Sequence, residues 1–120
     1  MTPAEAVERL QGVLAHLWMV RTFLKHADEI QDDEELLDVP RMLFDYVRAT
    51  EPAAQRNDTK EYLHRIRGKL PKLRRAAEVL QKEYRRVSAH TNFEMAALSL
   101  TACVRQIEEI LAVPPSEPRP

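Results

Sequence analysis

Hydrophobic residues recur at steps of three and four through most of the chain, a period that predicts α-helices. The first predicted helix begins at a capping box formed by Thr2 and Glu5, with Pro3 at its first position, and is expected to run to about Ile30. Its apolar stripe consists of Val7, Leu10, Leu14, Leu17, Trp18 and Leu24. Arg21 interrupts this stripe and is expected to be a satisfied buried polar group or a residue at the edge of a bundle.

The second predicted helix follows an acidic run from Asp28 to Glu35, in which Asp32 and Glu35 have the spacing of a capping box. Its core face is expected to consist of Leu36, Leu37, Leu43, Phe44 and Val47. Pro40 either kinks this helix or marks its start, and the residues alone leave both interpretations open. Residues 50–57 are the predicted connection to the next helix.

The third predicted helix opens at Asp58 and reaches about Arg86. Gly68 and Pro71 interrupt it, which indicates a bend or a split into two shorter helices. Residues 88–92 are the predicted turn, and a fourth amphipathic helix extends from Phe93 to about Leu111.

Four amphipathic helices joined by short links predict an all-α fold, as an up-and-down antiparallel four-helix bundle. Residues 1–113 are expected to form a single domain, and residues 114–120 a disordered, proline-rich tail. A chain of 120 residues with 44% hydrophobic and 31% charged residues is typical of one soluble globular domain. The N-terminus lacks the pattern of a secretory signal, and a lone cysteine, Cys103, fits a reducing compartment, so the expected location is cytoplasmic.

The formal net charge of −1 conceals an uneven distribution. Residues 1–59 hold 6 basic and 12 acidic side chains, a balance of −6; residues 60–86 hold 10 and 3, a balance of +7; residues 87–120 hold 2 and 4, a balance of −2. In an up-and-down bundle, the acidic run would lie at the same pole as Arg85 and Arg86. Ion pairs such as Glu61 with Arg65 are expected to neutralise part of the basic helix.

Four cations of the third helix, in its middle, share one flank on a helical wheel: Arg65, Lys69, Lys72 and Arg75. This flank is predicted to bind an acidic partner protein, a phosphate group or RNA. No aromatic residues interleave the four cations, so stacking on bases is not supported.

His64 is predicted to lie on the solvent side of the same helix, with Arg67 and Gly68 three and four residues later. An exposed imidazole with a nearby cation and an open neighbouring position suits transfer of a phosphoryl group to a ring nitrogen. The run His64-Arg65-Ile66-Arg67-Gly68 resembles the His-x-Leu-Lys-Gly core of histidine-containing phosphotransfer domains, which are four-helix bundles. The resemblance covers five residues, and the alternative is an ordinary surface histidine.

Arg85 and His90 have the Arg-x4-His spacing that occurs just before the last helix of HEPN-type helical domains. That resemblance implies RNA cleavage, in which arginine stabilises phosphorane-like charge while histidine moves a proton, or pairing with a nucleotidyltransferase. In the alternative interpretation, Arg85 pairs with the acidic run and His90 helps to cap the final helix.

The four histidines do not supply a recognisable ligand set, so no metal and no cofactor is predicted. The leading hypothesis is a small, non-catalytic interaction or regulatory protein. It is expected to bind a partner protein through its basic third helix. A homodimer is also expected, because Met95 and Leu98 are predicted to be exposed on the fourth helix. No membrane association is expected.

Overall fold

A computed structural model describes residues 1–114, which fold into helices with no strand among them. The helices are α1 (Pro3–Lys25), α2 (Asp28–Gln31), α3 (Asp38–Arg48), α4 (Glu51–Gln55), α5 (Thr59–Val87) and α6 (Thr91–Ala112). The predicted all-α fold class is therefore confirmed. Of the predicted tail, residues 114–120, only Pro114 is among the described residues, and the rest lies outside them.

The first helix ends five residues earlier than the periodicity indicates. Ala27 takes an extended backbone conformation (φ −93°, ψ 117°) and separates α1 from the single turn of α2. The Gln31 side chain of α2 donates to the Lys25 carbonyl at the C-terminal end of α1. Ile30 lies in this turn and is fully buried. The predicted continuous helix to Ile30 is wrong because the extended backbone of Ala27 ends the helical hydrogen bonding of α1.

The start of α3 decides between the two interpretations of Pro40. Pro40 is the third residue of α3, where an N–H group would have no partner within the helix, and it is buried. The predicted capping box of Asp32 with Glu35 is wrong: Asp33 instead accepts hydrogen bonds from the amides of Glu35 (3.0 Å) and Leu36 (3.1 Å). Pro40 thus belongs to the first turn of α3 and does not interrupt its interior.

The long helix α5 continues through Pro71 without splitting. Pro71 provides no N–H for the Arg67 carbonyl, but both residues are on the exposed side of the helix, where water can satisfy that carbonyl. Asp58 caps the helix by accepting from the Glu61 amide at 3.1 Å. Within the predicted connection before Asp58, residues 51–55 form the short helix α4.

The four longer helices pack side by side around one core. Helix α1 contacts α3 and α6, and α5 contacts the same two helices. Side chains from all four are fully or almost fully buried, among them Leu17, Leu43, Leu80 and Leu100, and Cys103 is buried with them. These contacts support the up-and-down arrangement, which stays a prediction. None of the described helices is long and apolar enough to span a bilayer.

Candidate anion-binding surface

The basic flank of α5 borders a small groove between α5 and α3. Lys69, Lys72 and Arg75 line it from α5, opposite Asp45 and Tyr46 of α3. The groove has a volume of about 220 Å³ and is named here the basic groove, for the three cations that border it. Of the four cations predicted on this flank, the structure therefore brings three to one concave surface.

Arg65, the fourth predicted cation, is engaged elsewhere. Its guanidinium donates to the Glu61 carboxylate at 2.8 Å, the helical pair that the sequence predicts. On the opposite side of α5, Arg74 lies 3.5 Å from Glu108 of α6. Within residues 1–114, by contrast, no cation of the basic groove lies within 4 Å of a carboxylate. The basic groove therefore carries positive charge that the fold does not neutralise by direct pairing.

A buried hydrogen bond fixes α3 against α5 beside this groove. The Tyr46 hydroxyl donates to the carbonyl of Ile66 at 2.9 Å, and Tyr46 is 3% exposed. Burial raises the pKa of the Tyr46 phenol well above its ordinary value, so the hydroxyl keeps its proton and remains a donor. This hydrogen bond therefore joins the two helices that form the walls of the groove.

The acidic run after α2 meets the C-terminal end of α5 in a set of ion pairs named here the Arg86 cluster: Arg86, Asp33, Glu35 and Glu83. The Arg86 guanidinium donates to both oxygens of Asp33, at 2.6 and 2.9 Å, and to Glu83 at 2.8 Å, and lies 3.7 Å from Glu35. Hydrogen bonding to Arg86 lowers the pKa of Asp33 to about 2 and raises that of Arg86. The acidic run does approach the end of α5, as the charge distribution predicts.

Arg85 does not take part in that cluster, so the expected pairing of Arg85 with the acidic run is wrong. Its guanidinium donates instead to the Tyr84 hydroxyl at 3.0 Å and lies over the Tyr84 ring, 5.6 Å from its centroid. Successive residues of a helix point about 100° apart, so Arg86 faces the loop before α3 and Arg85 points away from it.

His90 occupies the N-cap position of α6. Its Nδ1 atom accepts a hydrogen bond from the Asn92 amide at 3.0 Å, while the imidazole remains exposed. The predicted capping role of His90 is therefore confirmed. Arg85 and His90 both serve local contacts at the turn between α5 and α6, and the ribonuclease hypothesis for this pair stays a prediction.

His64 is exposed on α5, as predicted. Gly68, one turn further along, is exposed too, and a Cβ atom placed there would meet no other atom within 4 Å. The side of α5 beside His64 is consequently open enough for another molecule to approach the imidazole.

Three cations that sequence reasoning missed line a second groove, on the other side of α3. Arg21 and Lys25 of α1 face Arg41 and Phe44 of α3 across a space of about 620 Å³, named here the aromatic groove. These cations belong to the part of the chain with a balance of −6, so charge counting hides them. The spacing of two of them could have indicated the site from the sequence, because Arg21 and Lys25 are four residues apart and therefore share a helix face.

Within residues 1–114, no three or more histidine, cysteine or acidic residues are grouped as a metal ion would require. The chain matches no protein-family model, no characterised protein and no solved structure.

Proposed function

We propose that this protein is a non-catalytic helical interaction module, a four-helix bundle of up-and-down topology, that binds an acidic segment of a partner protein at the basic groove. The observation that carries the proposal is the contrast within α5: Arg65 and Arg86 have carboxylate partners, whereas Lys69, Lys72 and Arg75 have none among residues 1–114 and face one groove. Cations without partners on a concave surface attract and orient an anionic ligand.

An acidic polypeptide fits this groove better than RNA does. Among the described residues, Tyr46 provides the only aromatic ring that lines the groove. It is buried and its hydroxyl is already hydrogen-bonded, so it offers no platform for a base. Asp45 also lines the groove, and its carboxylate can accept from the backbone N–H groups that a polypeptide presents beside its own carboxylates. A groove of about 220 Å³ is smaller than most small-molecule sites and accommodates one or two side chains.

The test measures binding of a fluorescently labelled oligoglutamate peptide by anisotropy, with a labelled single-stranded RNA as the competing class. In the groove variant, Lys69, Lys72 and Arg75 are each replaced by glutamine. The matched control replaces three other exposed cations of α5, which lie outside the groove and have no ion pair within residues 1–114: Lys60, Arg67 and Lys82. Both variants lose the same formal charge from the same helix.

The groove variant is expected to bind the peptide about tenfold more weakly than the control does, since three ligand-facing charges that each contribute about 0.5 kcal/mol together supply about 1.4 kcal/mol. Equal losses in the two variants would show that only overall charge matters and would overturn the site. Tighter binding of the RNA than of the peptide would overturn the choice of an acidic polypeptide.

A second candidate function is histidine phosphotransfer at His64, favoured by the exposed imidazole and the open surface at Gly68. Incubation with a phosphorylated receiver domain is expected to place an acid-labile phosphate on the protein, and His64→Gln is expected to abolish it. Labelling that persists in His64→Gln would contradict this assignment.

The homodimer predicted from the sequence stays a prediction. Met95 and Leu98 lie about one turn apart on α6 and are 46% and 50% exposed. Light scattering at increasing concentration is expected to show the mass of a dimer, and Leu98→Glu is expected to return it to a monomer. A constant monomer mass at high concentration would contradict the prediction.

A further inference from the structure

The aromatic groove has the size and the mixed lining of a small-molecule site. Its volume of about 620 Å³ lies within the range of roughly 300–1,000 Å³ that is common for such sites. Phe44, Leu37 and Pro40 provide apolar walls, and Arg21, Lys25 and Arg41 provide positive charge. These residues come from α1, from α3 and from the turn before α3, so the groove exists only in the folded chain.

Arg21 is held in place by aromatic rings and not by a carboxylate. Its guanidinium carbon lies 4.6 Å from the centroid of the Trp18 ring and 5.0 Å from that of Phe44. The two ring centroids are 5.6 Å apart, so Arg21 lies across the seam between the rings. Rings on one face of a guanidinium leave its N–H groups, which lie in its plane, available to an acceptor.

The donors of this groove have no acceptor within the described chain. Among residues 1–114, Arg21, Lys25 and Arg41 form no side-chain hydrogen bond and no ion pair. Arg21 is moreover only partly exposed, and a partly desolvated donor gains more from a ligand than an exposed one does. Asp32 and Asp45 also line the groove and leave it a balance of one positive charge.

We infer that the aromatic groove binds a small organic anion, a carboxylate or a phosphate monoester carried on an apolar or aromatic body. The anionic group would accept from Arg21, with Lys25 and Arg41 on either side. The body would pack on Phe44 and Leu37, the second of which is 48% exposed in the free protein. Asp32 and Asp45 would accept from any hydroxyl or amino group on the body, since a carboxylate is an acceptor only.

Trp18 reports on this groove through Arg21, because it is the only tryptophan of the chain and its ring contacts the Arg21 guanidinium. The test titrates phenyl phosphate and phenylacetate separately while indole fluorescence is recorded, which distinguishes a phosphate source of the anion from a carboxylate source. Inorganic phosphate and benzyl alcohol serve as probes of the anion alone and of the ring alone. A saturable change of indole fluorescence with either aromatic anion, together with weaker binding of inorganic phosphate and of benzyl alcohol, supports the inference.

Arg21→Gln and Arg41→Gln are each expected to weaken binding of the aromatic anion by roughly tenfold, because each removes a charge-assisted hydrogen bond to its anionic group. Arg41 is exposed, so its replacement retains a readout even where Arg21→Gln affects folding. Arg9→Gln is the control, since Arg9 is an exposed cation of α1 outside the groove. Circular dichroism of each variant checks that its helix content equals that of the unsubstituted protein.

No fluorescence change with either aromatic anion would overturn the inference. So would equal affinity for phenyl phosphate and inorganic phosphate, because the apolar walls would then contribute nothing. Equal weakening by Arg9→Gln and Arg41→Gln would also overturn it. The variant of the basic groove is expected to bind the aromatic anions normally, so failure of this site and failure of the proposed protein interaction are distinguishable.

Discussion

Two parts of α5 show opposite uses of positive charge. In the Arg86 cluster, one guanidinium bonds both oxygens of Asp33, whose side chain is only 12% exposed, and ties the loop before α3 to the end of α5. In the basic groove, three cations of the same helix meet no carboxylate within 4 Å among the described residues. Paired charge thus ties a loop to a helix in this protein, whereas charge without a partner remains available to a ligand.

Arg86→Gln is expected to cause the largest loss of stability among single substitutions of charged residues on α5, because it removes all the ion pairs of the cluster together. Thermal unfolding followed by circular dichroism measures the effect. Arg65→Gln is the matched control, since Arg65 has one exposed pair within its own helix. A midpoint for Arg86→Gln no lower than that of Arg65→Gln would mean that the cluster does not stabilise the fold.

The pH dependence of stability is expected to show the same cluster. Folding lowers the pKa of Asp33 from an ordinary value of 3.8 to about 2, so the folded state favours the ionised carboxylate. Its contribution is therefore complete above about pH 4 and is lost as the pH falls toward 2. Urea unfolding at several pH values measures it, and Asp33→Asn is expected to flatten the profile in this window. An unchanged profile in Asp33→Asn would contradict the ion pair.

A smaller loss of stability is expected when the neutral hydrogen bond that joins α3 to α5 beside the basic groove is removed. Tyr46→Phe is expected to cost about 1 kcal/mol of unfolding free energy, the usual contribution of one buried hydrogen bond. Tyr62→Phe is the matched control, because burial raises the pKa of Tyr62 to about 12 but, among residues 1–114, its buried hydroxyl has no hydrogen-bond partner at normal distance and angle. Chemical denaturation should rank Tyr46→Phe as clearly less stable than Tyr62→Phe, and equal values would contradict the anchoring role.

The smallest effect on stability is expected in the basic groove itself. Replacing Lys69, Lys72 and Arg75 by glutamine removes charges that stabilise nothing by direct pairing, so unfolding free energy should change by less than about 0.5 kcal/mol. Chemical denaturation of this variant beside Arg86→Gln tests the comparison. A large destabilisation in the groove variant would show that these cations act in folding and are not reserved for a ligand.

Local sequence signals predicted much of α5 and α6. Asp58 begins α5 and His90 caps α6, both within a residue or two of the expected positions, because a cap depends on backbone groups only two or three residues away. Local signals failed at the end of α1, where the apolar period runs on to Ile30. There the backbone of Ala27 is extended and Ile30 is buried in the core, and core packing involves distant parts of the chain that a local period does not represent.

The candidate site was predictable to the extent that it lies on one helix. The cations at positions 69, 72 and 75 share a flank by helical geometry alone. Packing decided which helix faces that flank and which cations form ion pairs. Arg65 pairs within its own helix, and Arg86 pairs with a loop 53 residues away.

The sequence by itself determined the all-α class, the helical faces and the presence of one strongly basic helix, because helix formation and amphipathicity follow from neighbours within a few positions. Only the tertiary structure decided which charges are paired. It placed Asp33 beside Arg86, left the three cations of the basic groove without a carboxylate within 4 Å among residues 1–114, and joined Arg21 of α1 to Phe44 of α3. Such contacts join residues far apart in the chain, so they arise only when the helices pack.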